Sequence, residues 1–405
     1  MSEHSATCEI EERTRWLICY GHELLGDKKS VSMLQNLAAW QREILNLQLK
    51  LRSRCTKRFP DPEHWLWTQQ SYEQASDWWS AQFKASLFPP RQQIFDVCCG
   101  AGADSVALAK RGSVVAVDQD AIITMYASHN MKSHGVLGEV RQGRYRAQEC
   151  VGGLVHIDPD RRSDGKRRGS ASSSYSPPLE DILPLGQSAQ GSMIKLSPMC
   201  VWHATNAEFI RRNFQRLWLG NFHECRQQLL ISGDLRCNQF GEKTAVLCDP
   251  EKTSTFTSCV QSNVQCQIVN EPGKLRGKFL YDLHPVLHAS QLTSDFAIQH
   301  DLNAVHSPHG YFVADRTLTS AWLQTFQVLE ILPFDNRKIR SWLRLHGAGM
   351  VEVKSRLFSL DASKLQRQLG QSSGNSVTLL VTRIGEKIRA VAAQRLCHKQ
   401  IASFS

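Results

Sequence analysis

Between Gln93 and Asp120 the chain alternates apolar and polar blocks in the order expected of a strand, a glycine turn, a helix and a second strand. Ile94 to Val97 is a short apolar run of buried-strand type, and Cys98 to Gly102 is a tight turn. Asp104 can open a helix, and Val114 to Val117 is the next strand. A helix from Asp120 to Lys132 and a weak strand near Gly138 to Gln142 continue the alternation. Leu154 to Ile157 and Met193 to Leu196 add two more short apolar strands, and Gln227 to Ser232 and Thr244 to Cys248 predict antiparallel strands that complete the sheet. Upstream, Leu34, Leu37, Trp40, Ile44, Leu47 and Leu51 recur at helical spacing and predict a helical N-terminal region. Past residue 262 the blocks shorten. One helix is expected over Val286 to His300, and a strand over Val328 to Leu332. Helices near Asn336 to Leu345 and Asp361 to Leu369 then alternate with strands Gly349 to Lys354 and Ser376 to Arg383.

At 405 residues the chain exceeds the roughly 100 to 200 residues of one domain. The pattern divides it into a helical region (1–86), an α/β domain with a Rossmann-like sheet (87–262), a small α+β element (263–332) and a second α+β element (333–405). No apolar run approaches the roughly eighteen residues needed to span a bilayer. The N-terminus, MSEHSATCEIEERTRW, lacks the basic start and apolar stretch of a signal peptide, so a cytoplasmic location is expected. Thirteen cysteines contain no C-x-x-C pair, and Pro285 and Pro308 interrupt the histidine pairs His284/His288 and His306/His309, so no metal is expected. The net charge of +10 favours a polyanionic partner, with RNA the first to consider.

The chemistry of the turn narrows the choice of ligand. Gly100 and Gly102 permit a sharp turn and close approach of the backbone, and Asp118 falls where an acid at the end of a second strand meets ribose hydroxyls. A dinucleotide site wants a third glycine and a helix start free of negative charge, whereas Ser105 holds that position here and Asp104 stands beside it. A pyrophosphate would be repelled. The cationic sulfonium and ammonium of S-adenosylmethionine suit Asp96 and Asp104. The stretch resembles motif I of class I methyltransferases, D-x-G-x-G-x-G, with Cys98 in place of the first glycine. The expected cofactor residues are therefore Asp96, Cys98, Gly100, Gly102, Asp104 and Asp118, with Gln119 beside the last and Gln142 in place of the usual acid facing adenine.

A second group of residues follows the strand at Leu154 to Ile157. Asp158, Pro159 and Arg161 stand where substrate meets the crevice at the carboxyl ends of the strands, and are the expected catalytic positions. Amino-methyltransferases with D-P-P-Y or N-P-P-Y place an aromatic where this chain has Arg161, which can stack on a base or bind phosphate. The polar run from Asp160 to Ser174 predicts an exposed basic loop. Arg162, Lys166, Arg167 and Arg168 in that loop, with Tyr175 beyond it and Lys195 in the fifth strand, are the expected substrate contacts; Lys195 either lines the cleft or reaches past the sheet edge.

DVCCGAGAD, HIDPDRR, SYSPPLEDI, IKLSP, NEPG, LTSD, VEVKSR and TRIGEK, in this order, resemble the bacterial class I methyltransferases that carry a C-terminal THUMP-like domain. That resemblance implies a ferredoxin-like element over 263–332 and a THUMP-like, RNA-binding domain over 333–405. It also implies that Tyr72 to Ser76, similar to a family signature, closes over the cofactor and brings Gln74 to it. The expected activity is S-adenosylmethionine-dependent methylation of structured RNA, rRNA or tRNA, by direct in-line displacement. The alternatives are an RNA-binding or assembly factor on a methyltransferase fold, and a methyltransferase for a small acidic metabolite. The oligomeric state is not legible.

Overall fold

The structure is a computed structural model and describes residues 3–26, 36–145, 147–160, 175–221, 224–258, 266–357, 359–369 and 373–397. The chain forms two compact units, Met1–Phe222 with Arg226–Thr255, and His223–Cys225 with Phe256–Ser405.

The first unit is built on a nine-stranded sheet of β1 (Ile94–Val97), β2 (Val114–Asp118), β3 (Gly138–Gln142), β4 (Leu154–Ile157), β5 (Gly191–Leu196), β6 (Gln215–Asn221), β7 (Glu224–Gly233), β8 (Lys243–Cys248) and β9 (Thr253–Thr257). Their order across the sheet is β3-β2-β1-β4-β5-β7-β6-β8-β9. The first five are parallel, and β7 turns antiparallel against β5; β1, β2, β4 and β5 are short, mostly apolar and largely buried, whereas β3 is a mostly exposed edge strand. This is the Rossmann-like sheet of the class I methyltransferase fold. Val97 pairs with both Val117 and Ile157, so β1, β2 and β4 end level and open one crevice at their carboxyl ends.

The antiparallel strands expected at Gln227 to Ser232 and Thr244 to Cys248 are present but are not neighbours. β6 lies between them and runs parallel to β8. It follows the helix Ala204–Asn213 across the single residue Phe214, so no glycine or proline marks where the helix ends and the strand begins.

The N-terminal helices are not a separate domain. Trp65, Trp67, Tyr72 and Phe88 share one apolar core with Ile94, Val106 and Val114 of the sheet domain. Gln48, buried in the helix Ala39–Cys55, donates to the Trp67 carbonyl at 2.6 Å and accepts from the Trp67 N–H at 3.1 Å. Asn130 of the helix Ala121–Ser133 donates to the carbonyls of Leu66 (3.0 Å) and Ala101 (2.9 Å) and accepts from the Leu66 N–H (2.8 Å). One buried amide thus ties the helical region, the glycine turn and the sheet domain together. Replacing Asn130 by alanine strands three main-chain groups in the core and is expected to destabilise the unit by about 2 to 4 kcal/mol. Urea unfolding followed by tryptophan fluorescence reads this, and a loss under about 1 kcal/mol would show that Asn130 is not the tether.

The second unit carries an eight-stranded sheet of β10 (Ile268–Val269), β11 (Phe279–Leu283), β12 (Asn303–Val305), β13 (Phe312–Ala314), β14 (Leu323–Pro333), β15 (Ala348–Ser355), β16 (Asn375–Ile384) and β17 (Lys387–Arg395), in the order β10-β12-β13-β11-β14-β17-β16-β15. The boundary expected at 332/333 does not divide it, because β14 pairs with β11 on one side and β17 on the other. β17 closes a hairpin with β16 through Gly385-Glu386, where Gly385 (φ 57°) supplies the left-handed position of a two-residue loop. The single helix expected over Val286 to His300 is two, Pro285–Ala289 and Thr293–Gln299, broken where Gln291 turns left-handed (φ 62°). The helices Asn336–Leu345 and Ala362–Leu369 cover one face of β15, β16 and β17 through Ile339, Leu343 and Leu365.

Candidate active site

Cys98, Gly100 and Gly102 all adopt left-handed backbone, at φ 59°, 55° and 83°. Cys98 therefore takes the conformation that the usual glycine supplies, at a cost of roughly 1 to 2 kcal/mol for a residue with a Cβ. A Cβ added at Gly100 would meet nothing within 4 Å, so the main chain there is open to a ligand. One added at Gly102 would lie 3.3 Å from Ala127 Cα, so that glycine sets the packing of the turn against the next helix. Asp118, at the end of β2, is fixed from two sides. Its Oδ2 accepts from the Gly100 N–H and its Oδ1 from the Asp120 N–H, both at 3.0 Å. Burial pushes its carboxyl up, against the pull of those two bonds.

Beneath the turn lies a buried polar network. Asp96, fully buried, accepts from Ser105 Oγ and pairs with His156 Nδ1 at 2.7 Å. Asp104 Oδ2 receives Lys84 Nζ at 2.6 Å and Ser76 Oγ at 3.0 Å, with His156 Nε2 at 4.0 Å. Burial opposes ionisation of Asp104, but the charges of Lys84, His156 and Lys195 outweigh it and hold the carboxyl well below the usual carboxylate range. Asp104 Oδ1 is buried with no hydrogen-bond partner. An unpaired oxygen on an ionised carboxylate, beside an open left-handed turn and an acid at the end of β2, fits a ligand with a cationic end and a ribose.

Asp158 follows β4 directly, its N–H donating to the Val97 carbonyl at 3.0 Å, which places it at the mouth of the same crevice. Lys195 Nζ meets Asp158 Oδ2 at 2.5 Å. Lys195 is not at a sheet edge, since β5 lies between β4 and β7. The thiols of Cys98 and Cys99 are pushed up by burial and by the surrounding carboxylates, so neither is a thiolate nucleophile at neutral pH.

The remaining expected positions divide. Gln142, exposed at the end of β3, stands in register with Asp118, and Gln119 is exposed beside it. Gln74 Nε2 donates to Asp160 Oδ1 at 3.0 Å, joining the Tyr72 to Ser76 segment to the chain after β4. Tyr175, expected to meet substrate, is a core residue instead. Its ring packs with Val97, Val155 and Ile157, and its hydroxyl accepts from the Ser197 N–H at 2.8 Å. Pro159 lies in the segment after Asp158, while Arg161, Arg162, Lys166, Arg167 and Arg168 lie outside the described residues. Ser76 ends the Tyr72 to Ser76 signature, whereas sequence reasoning missed Lys84 and His156; of these two, only His156 carried a local signal, as the one polar residue of the apolar strand Leu154–Ile157.

Among the described residues, no group of three histidine, cysteine or acidic side chains is placed to hold a metal ion, and no helix is long and apolar enough to cross a membrane.

The sheet order and the glycine turn are those of the class I methyltransferase fold, and comparisons with known proteins bear on its activity. Residues 91–150 match the family model for RNA cap guanine-N2 methyltransferases, and residues 323–395 match the THUMP domain-like model. Two Mycobacterium tuberculosis proteins, from strains CDC 1551 and H37Rv and each described as an uncharacterized S-adenosylmethionine-dependent methyltransferase, are 23% identical over 323 residues. The match covers 79% of this chain and 85% of theirs. A crystal structure from Porphyromonas gingivalis W83, provisionally named a methyltransferase, superposes with a TM-score of 0.68 at 17% identity, covering 96% of this chain and 98% of that one. The chain is a class I methyltransferase that uses S-adenosylmethionine and carries a THUMP-like domain toward its C-terminal end.

Proposed function

We propose that the chain methylates structured RNA, using Asp158 on the substrate side of the crevice and the THUMP-like unit to grip the phosphate backbone. S-adenosylmethionine supplies the electrophilic methyl. In this reading Asp104 Oδ1 takes the cofactor's ammonium and Asp118 its ribose hydroxyls, while Gln142 and Gln119 flank the base. Lys195 holds one oxygen of Asp158, and the other accepts a hydrogen bond from the attacking group. Catalysis rests mostly on holding nucleophile and methyl in line, with no covalent enzyme intermediate. With Lys195 engaged by Asp158, its ammonium is not free to bind a substrate carboxylate, which counts against an acidic metabolite.

The observation that carries the RNA reading is the outer face of the two helices of the second unit. Arg337, Lys338, Arg344, Lys364 and Arg367 are exposed, and their side chains form no salt bridge among the described residues. Asp335 and Asp361, the acids that open these helices, bond main-chain N–H groups. In contrast the basic side chains of Lys354, Arg356 and Arg395 are paired with acids of the same unit. The first two converge on buried Asp282 and the third on Glu352.

The test is binding of bulk tRNA and rRNA at several salt concentrations, for the full chain and for a variant with those five cations changed to glutamine. A cation that no longer meets a phosphate no longer displaces a counterion from it, so the slope of log affinity against log salt should become shallower by up to about 4. S-adenosylmethionine affinity should not change. An unchanged slope and affinity would remove the helical face from RNA binding.

A further inference from the structure

Lysine is almost never fully buried in a folded protein unless paired, and Lys84 is 1% exposed. It comes from the helix Trp78–Ser86, upstream of the sheet, and its Nζ donates to Asp104 Oδ2 at 2.6 Å and to Ser76 Oγ at 2.8 Å. Ser76 Oγ in turn donates to the same Asp104 oxygen at 3.0 Å. Both donors from the N-terminal region therefore crowd onto Oδ2, and Oδ1 of the same carboxylate is left buried and unpartnered. His156 Nε2 stands 4.0 Å from Oδ2 and has no hydrogen-bond partner of its own.

We propose that Lys84 is a positioning residue for cofactor binding: it fixes the Asp104 carboxylate so that Oδ1 alone is presented to the amino-acid end of the cofactor. The N-terminal helical region is then part of the cofactor site and not an accessory to it. The proposal rests on the reading of Asp104 as the ligand of the cofactor's ammonium. Without Lys84, a carboxylate buried this deeply takes up a proton or turns to find another partner, and its acceptor oxygen is lost.

Two neutral ligands separate this from a general loosening of the fold. S-adenosylhomocysteine carries the amino-acid end, whereas 5′-methylthioadenosine has the same adenine, ribose and thioether without it. In Lys84→Met, calorimetry should show S-adenosylhomocysteine binding weakened at least tenfold and methylthioadenosine binding within twofold of the parent. The double variant Lys84→Met/Asp104→Asn removes both buried charges, so it should fold even where the single variant does not, and should show the same selective loss. Equal losses for both ligands, or parental S-adenosylhomocysteine affinity in either variant, would overturn the proposal. A parent chain that binds neither ligand would overturn the Asp104 reading beneath it, a result distinct from either.

Discussion

Asp158→Ala is expected to lower the turnover number by about 10² to 10⁴, the range for loss of a positioned proton acceptor, while S-adenosylmethionine affinity stays within a few-fold of the parent. The separation follows from position. Asp158 sits at the end of β4, bonded through its N–H to Val97, and is not among the groups that shape the turn at Cys98 to Gly102. Removing its carboxylate also takes away the partner that Lys195, only 13% exposed, meets at 2.5 Å, so some loss of stability accompanies the loss of rate. Asp158→Asn keeps a hydrogen-bonding group opposite Lys195 and should retain the fold better while still losing most of the rate. Single-turnover rates and calorimetry on the same preparations separate the two effects. An equal loss of cofactor affinity would move Asp158 into the cofactor pocket.

Asp118→Ala carries the second large effect, a weakening of S-adenosylmethionine binding by roughly 1.5 to 3 kcal/mol, the range for hydrogen bonds to a charged group. In affinity this is about 10- to 150-fold. Asp118 has two tasks in the structure. It stands level with the crevice at the end of β2, and its two oxygens hold the N–H groups of Gly100 and Asp120. Because the ribose is common to both ligands, S-adenosylmethionine and methylthioadenosine should lose affinity together, in contrast with the selective loss expected at Lys84. Unchanged affinity for both would take Asp118 out of the ribose role.

The strand-turn-helix-strand at Gln93 to Asp120 was legible because every cue in it is local. Its apolar runs are short and uninterrupted, its glycines fall where the turn needs positive φ, and Asp120 caps the helix that the pattern predicts. The helix Asn336–Leu345 was legible for the same reason, with Asp335 as its cap and Ile339 and Leu343 on its inner face. What escaped depends on partners far away in sequence. Asn130 reaches back to Leu66, Lys84 forward to Asp104, and His156 to Asp96, and none of these pairings leaves a periodic trace. The same limit applies to the charges of the second unit. Nothing in the sequence marks a partner for Lys354 or Arg356, yet both meet Asp282 on another strand, whose carboxyl they hold below the ordinary range against its own burial. The divisions at 86 and 332 follow changes in the pattern of elements, and pattern does not reveal the core shared across the first or the pairing of β14 across the second.

The most direct test of RNA methylation is transfer of labelled methyl from S-adenosylmethionine to RNA by the purified chain, with RNA from a strain lacking the gene compared with RNA from its parent. RNA from the deletion strain should accept label and yield one methylated nucleoside on digestion, the nucleoside missing from that strain's own RNA by mass spectrometry, while parental RNA, already modified, should accept little. Equal absence of label in both RNAs, with the chain shown to bind S-adenosylmethionine and the two nucleoside profiles identical, would contradict an RNA substrate.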